Sequence, residues 1–306
     1  MTLMFLVFGD DHRNHLQANF AILTHLQYPE TVSRIVVMTD SPDYYRHLSD
    51  DRVIVDEVRV DELHDWRGPH DFFWRIKIKA LEQLAERYPE DHVMYTDADT
   101  FCFGDPAGLQ RRLNAGGTLM HAREGKLAEL PTRTEREMWK QTQGNTYGGI
   151  SMNDQRIMYN AGVVAIPRGK VKEAIALALR VCDDMCAAGV TRRLIEQFAL
   201  SLALAETGQL GAANDIIGHY WGNKEGWNER IGQFFVYHHF ASSSLATQVR
   251  ASGEVDFRSI PIYSRSSGTQ HKLHRLVDKG FAKNVFAYVP AVGAPTDDRS
   301  ERLQAS

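Results

Sequence analysis

Two aspartates stand one residue apart at the end of an apolar stretch, in VMYTDADTF from Val93 to Phe101. Short carboxylates at i and i+2, leaving a buried strand at a bend, can both turn toward one oxygen-ligand site. Asp97 and Asp99 are therefore candidate ligands of a hard divalent cation. Without counter-charge the pair repels itself, so the spacing asks for an ion or for neighbouring Lys or Arg. The commonplace use of such residues is a turn cap beside a solvated loop acid. The FGDP turn that follows, and the preceding amphipathic segment with Arg75, Lys77 and Lys79, favour a site.

Other chemistry-bearing residues are weaker candidates. Phosphatases of the haloacid-dehalogenase type also begin with two aspartates after an apolar strand. Their pattern wants Thr or Val two positions past the second Asp, near the N-terminus, whereas Phe101 stands there after three earlier strands. His64, Asp65, His70 and Asp71 gather in DELHDWRGPHDFF, but Gly68-Pro69 marks a loop and no metal-site spacing is met. Cys182 and Cys186 share the helical stripe of Ile175 and Leu179, which explains them as core residues.

The elements that must position Asp97 and Asp99 are legible upstream. Strand-like TLMFLVFG, a helical segment from about His15 to Gln27, SRIVVMTD, RVIVDEV, the helix FWRIKIKALEQLAERY and HVMYTD alternate in order. That alternation predicts an α/β fold with a mostly parallel central sheet flanked by helices. SRIVVMTD and HVMYTD are apolar runs rather than alternating strands, as expected of strands covered on both faces. Ligands in such sheets bind beyond the carboxyl ends of strands. The places to search are thus Gly9-Asp10-Asp11, Thr39-Asp40 and Asp97-Ala98-Asp99.

From His121 to Gln155 the chain is polar, glycine-bearing and poorly periodic, which predicts a long surface segment. A strand IMYNAGVVAIP, helices at about Val171 to Ala187 and Arg192 to Glu206, and a short strand in NDIIGHYWGNKEGW follow. One domain over residues 1–264, a basic elaboration over 265–294 and a disordered tail over 295–306 are expected. The length of 306 residues is ample for a buried core. A formal net charge of −4 leaves no electrostatic case for nucleic acid. No stretch has the length of a membrane span, and Leu3 to Phe8 is unlike a secretion signal. Three cysteines, an odd and sparse set, suggest a reducing compartment and a cytoplasmic location.

With these residues in place, the chain from about Leu3 to Trp227 resembles nucleotide-sugar glycosyltransferases of the GT-A fold. It is most similar to glycosyltransferase family 8, the group of the bacterial lipooligosaccharide galactosyltransferases and glycogenin. VMYTDADTFCFGDP looks like that family's strand and DxD segment, which implies manganese, or magnesium, at Asp97 and Asp99 bridging a donor diphosphate. FWRIKIKAL is similar to its Arg-x-Lys helix, implying donor contacts from Arg75 and Lys77. FGDDHRNHL resembles its first strand end, implying nucleotide contacts from Asp10 and Asp11. MYNAGVVAIP implies that Asn160 and Ala161 line the sugar pocket. LIEQFALSL matches a further segment at Glu196 and Gln197 but departs at Phe198 and Ser201, and by analogy Gln197 lies near the anomeric carbon. HYWGNKEGW implies His219 as third metal ligand and Lys224 as a donor contact, with Lys224 one position early and Gly226 in place of a proline. His239 is a reserve for the metal.

The resemblance implies a metal-dependent transfer of a hexose from a nucleotide diphosphate sugar, UDP-linked by first expectation, to an acceptor hydroxyl with retention. Two alternatives stay open: a catalytically weak sugar-nucleotide or glycan-binding module of the same fold, and a sugar-phosphate nucleotidyltransferase. The latter would want a glycine-rich loop after the first strand. The basic run from Arg265 to Lys283, with Lys272, Arg275 and Lys279, could touch an anionic membrane carrying a lipid-linked acceptor. A solvated helix face is the plainer explanation of that run.

Overall fold

The computed structural model describes residues 1–264 and 286–289. In chain order the first half comprises β1 (Thr2–Leu6), α1 (His12–Leu26), β2 (Arg34–Thr39), β3 (Val53–Glu57), α2 (Val60–Asp65), α3 (Arg75–Arg87), β4 (Val93–Thr96), β5 (Thr100–Cys102) and α4 (Ala107–Asn114). Then come β6 (Thr118–Lys126), α5 (Arg133–Thr142), β7 (Thr146–Tyr147), β8 (Ile150–Ser151), β9 (Ile157–Ile166), α6 (Val171–Ala187) and α7 (Ile195–Thr207). The last elements are β10 (Leu210–Ala212), β11 (Ile217–His219), α8 (Lys224–Phe240), α9 (Leu245–Gly253), β12 (Tyr263–Ser264) and β13 (Phe286–Ala287).

Seven strands form the central sheet in the order β10-β6-β9-β4-β1-β2-β3. Four of its pairings are parallel, and β9 runs antiparallel to both of its neighbours, β4 and β6. β4 is therefore the middle strand. Its side chains alternate between two cores: Val93 and Tyr95 pack with α3, α6 and α7, and Met94 packs on the opposite face with α1 and α4. Covering on both faces is the physical reason β4 reads as an unbroken apolar run.

The sequence expectation for 121–155 is corrected. β6 continues through Lys126, and α5 with the β7–β8 hairpin follows it. β6 carries register shifts between Met120 and Ala122 and between Arg123 and Gly125, which break the period-2 pattern that would have marked it as a strand. α5 itself begins on a capping box, Thr132 with Glu135.

A third, aromatic cluster ties the C-terminal part of the described chain to the site. The Phe101 ring is stacked at 4.5 Å centroid distance on both Trp227 of α8 and Phe257. Among the described residues no helix is long and apolar enough to cross a membrane. The basic run from Arg265 to Lys283 and the 295–306 tail lie outside the described residues.

Candidate active site

The chain leaves β4 at Thr96, turns through Asp97-Ala98-Asp99 and re-enters a strand at Thr100. Asp97 N–H donates to Gly162 O at 2.8 Å, which ties the turn to β9. β11 pairs antiparallel with β5, His219 opposite Thr100, so the imidazole arrives beside Asp99 from far along the chain. Its Nε2 lies 3.3 Å from Asp99 Oδ1 and 3.7 Å from Asp97 Oδ2. One donor atom from each of Asp97, Asp99 and His219 falls within 4.8 Å of the others.

The orientation of His219 follows from its neighbours. Asn160 Oδ1 accepts from the Gly162 backbone N–H at 3.0 Å, which fixes which end of this carboxamide is oxygen. The same oxygen is 3.0 Å from His219 Nδ1, so Nδ1 carries the proton. Nε2 faces the two carboxylates, where it can donate a proton to them or give its lone pair to a cation. That arrangement repels unless a cation or proton lies between them, and carboxylate oxygens with a neutral imidazole suit manganese or magnesium. The donor set fits such an ion. Gly162 leaves room for the ring: a Cβ there would stand 2.2 Å from His219 Nδ1.

Counter-charge surrounds the aspartates. Lys224, the first residue of α8, reaches Asp99 at 2.9 Å. Burial opposes ionisation of Asp99, yet His219 and Lys224 outweigh it and hold the carboxyl well below the usual range. Lys77 of α3 is buried, which works against its charge. The facing carboxylates of Asp97 and Glu196, at 3.4 and 3.1 Å, more than compensate and raise its pKa. Lys77 also donates to Ala161 O at 3.2 Å, so the ammonium is held within the protein by two carboxylates and a carbonyl. Burial raises the Glu196 pKa, against the pull of Lys77. The Tyr95 hydroxyl donates to Asp97.

These groups line a pocket of about 490 Å³ at the carboxyl ends of β1 and β4, as expected for an open α/β sheet. No protein-family model matches the chain, and no curated protein sequence matches it. Solved structures do. A galactosyltransferase, LgtC, in complex with donor and acceptor sugar analogues is 14% identical, with 76% of this chain and 94% of that one covered at a TM-score of 0.50. The fold is that of the GT-A glycosyltransferases. An active-site mutant of LgtC (15% identity; 76% and 94% covered; TM-score 0.48) and mouse xyloside xylosyltransferase 1 (10%; 70% and 85%; 0.43) are also similar.

Within this GT-A fold the pocket gathers Lys77, Asp97, Asp99, Asn160, Ala161, Glu196, Gln197, His219 and Lys224. Three residues expected at the donor lie outside the lining of this pocket. Arg75 turns away and bonds Asp183 at 2.7 and 3.1 Å and Trp66 O at 2.9 Å. Asp11 caps α1 and pairs with Arg13. Asp10 is exposed and outside the pocket lining. His239 is exposed on α8, away from Asp97 and Asp99, so His219 takes the place beside the aspartates.

The structure adds residues that sequence reasoning did not find. Asn14 and Gln17 of α1, Phe73, Trp74, Arg193 and Trp221 also line the pocket. Glu124 of β6 stands behind it, bonded by Gln197 Nε2 at 2.8 Å and Asn160 Nδ2 at 3.3 Å. Burial pushes the Glu124 carboxyl up to about 7, against those two hydrogen bonds. Only the extension of β6 past His121 would have signalled it.

Proposed function

We propose that the protein is a metal-dependent glycosyltransferase that moves a hexose from a nucleotide diphosphate sugar, UDP-linked, to an acceptor hydroxyl with retention. The observation that carries this reading is the convergence of Asp97, Asp99 and His219 in the pocket of a GT-A fold. A divalent ion bound by these three residues supplies Lewis acidity toward the diphosphate leaving group.

The protein's own groups complete the chemistry. Lys224, half exposed beside Asp99, offers an ammonium to the departing diphosphate. Asn160, Ala161 and Glu196 border the space for the transferred sugar, and Gln197 presents a carboxamide toward its reacting carbon. Lys77 neutralises Asp97 and Glu196 from within the core. The acceptor is a glycan or a lipid-linked glycan. A cytoplasmic location belongs to the same reading, as does the division at residue 264.

The test is nucleotide release from a panel of UDP-sugars with and without Mn2+, alongside Asp99→Ala. Ion-dependent release lost in the variant is expected. Measurable donor binding with no release from any donor would instead mark a binding module, and an inverted product anomer by NMR would overturn retention.

A further inference from the structure

Most of the charge lining the pocket is matched by charge. Lys77 faces Asp97 and Glu196, and Lys224 faces Asp99. Arg193 lines the same pocket, is exposed, and among the described residues makes no hydrogen bond, ion pair or ring contact. The backbone that carries it is nevertheless fixed from two sides. Thr191 N and Oγ1 donate to Gln141 Oε1 of α5 at 2.7 and 2.9 Å. Arg192 donates to His70 O and, at 3.4 Å, to Asp71 O, with its guanidinium 5.8 Å from the Phe72 ring centroid. Arg193 is thus a free guanidinium on a pinned segment, four residues before Gln197.

The segment that Arg192 grips runs on to two aromatic side chains of the pocket wall, Phe73 and Trp74, which stay 39% and 49% exposed. Phe73 is held edge-to-face by Phe8 at 5.8 Å and by Trp74 at 5.0 Å. Lys77, Asp99, Glu196 and His219 are buried and form the floor. Arg193 and Trp74 therefore belong to the mouth. A half-exposed indole offers an apolar face to the C–H side of a pyranose, and a guanidinium offers a planar fork to a carboxylate or phosphate. A neutral sugar would use the first and leave the second idle.

We propose that the mouth of this pocket is a subsite for an anionic saccharide, whose ring packs on Trp74 and whose carboxylate or phosphate is bound by Arg193. The acceptor and the transferred sugar are the two possible carriers of that group. Calling the saccharide a substrate rests on the glycosyltransferase reading above; the charge preference of the mouth does not.

The test is a set of NMR titrations on wild type, Arg193→Gln and Arg193→Lys, following the Trp74 indole N–H signal, assigned by its loss in Trp74→Phe. The acceptor arm compares methyl β-D-glucuronide with methyl β-D-glucoside, and glucose 6-phosphate with glucose. The donor arm compares UDP-glucuronate with UDP-glucose in the presence of Mn2+, and UDP with Mn2+ is titrated alone. In wild type the anionic member of a pair should bind about fivefold more tightly, the worth of an ion pair at an exposed mouth. Arg193→Gln should erase that preference, Arg193→Lys should keep part of it, and both should leave UDP affinity unchanged.

Preference in the acceptor arm assigns the anion to the acceptor, and preference confined to the donor arm assigns it to the transferred sugar. Equal binding within every pair, no binding of any probe, or a preference that survives in Arg193→Gln overturns the proposal. So does an equal loss of UDP affinity in that variant, which would place the guanidinium on the donor diphosphate. A charge preference in the acceptor arm from a protein that binds no UDP leaves the subsite intact and sinks the transferase reading instead.

Discussion

Lys77 of α3 and Glu196 of α7 form an ion pair at 3.1 Å in which neither side chain is more than 10% exposed. The same ammonium lies 3.4 Å from Asp97. A charge so deeply placed serves first to make its carboxylate partners tolerable in the core. Lys77→Met is expected to lower unfolding stability by about 3–5 kcal/mol, because it leaves buried carboxylates unpaired. Adding Glu196→Gln should recover part of the loss. Urea denaturation of the two single variants and the double variant checks this, and additive losses would show that the pair is uncoupled.

Arg75 is expected to matter to the fold rather than to the donor. Its guanidinium is spent on Asp183 and Trp66 O, joining α3 to α6. Arg75→Gln should cost roughly 1.5–3 kcal/mol of stability, the worth of charge-assisted hydrogen bonds. The donor KM should stay within about twofold, since no uniform binding contact is lost. A large rise in donor KM with an unchanged melting temperature would place Arg75 at the substrate after all.

At position 162 there is no room for a methyl group. Gly162→Ala would put Cβ 2.2 Å from His219 Nδ1 and displace the ring. A fall in Mn2+ affinity of about tenfold or more is expected, as for other losses of ligand orientation. Calorimetric titration of the folded variant would contradict this by returning the wild-type affinity.

His25 supplies a pH dependence of stability. It is fully buried on α1, neither ring nitrogen has a hydrogen-bond partner, and burial lowers its pKa to about 3. The unfolded chain takes up a proton below its ordinary value near 6.5 while the native state does not, so the unfolded state binds more protons as pH falls. The stability due to neutral His25 is complete above about pH 6.5. It drains toward about pH 3 at roughly 1.4 kcal/mol per pH unit. His25→Leu should narrow the difference in urea midpoint between pH 7.5 and pH 5, and an unchanged difference would count against it.

Much of the scaffold was legible because its strands are covered on both faces and its helices on one. The runs at β1, β2 and β4 and the stripes of α3 and α6 are local consequences of burial, readable without neighbours. Asp97 and Asp99 were legible for the same reason, since a central strand must end somewhere and two acids stand where it does. β6 was not legible. Its irregular register hides the alternation, and with it Glu124, whose partners lie 36 and 73 residues away.

The sequence by itself determined the alternating α/β order, the central strand and the acids at its carboxyl end, because periodicity and apolar runs follow from burial that each segment carries within itself. Only the tertiary structure decided which basic and polar groups serve those acids. It turned Arg75 toward Asp183 and Lys77 into the core. It brought His219 to Asp99 through the pairing of β11 with β5, and it joined Gln197 to His219 through Glu124 and Asn160. Direction and partner of a side chain are set by strand register and helix packing between distant segments, and local spacing carries no record of either.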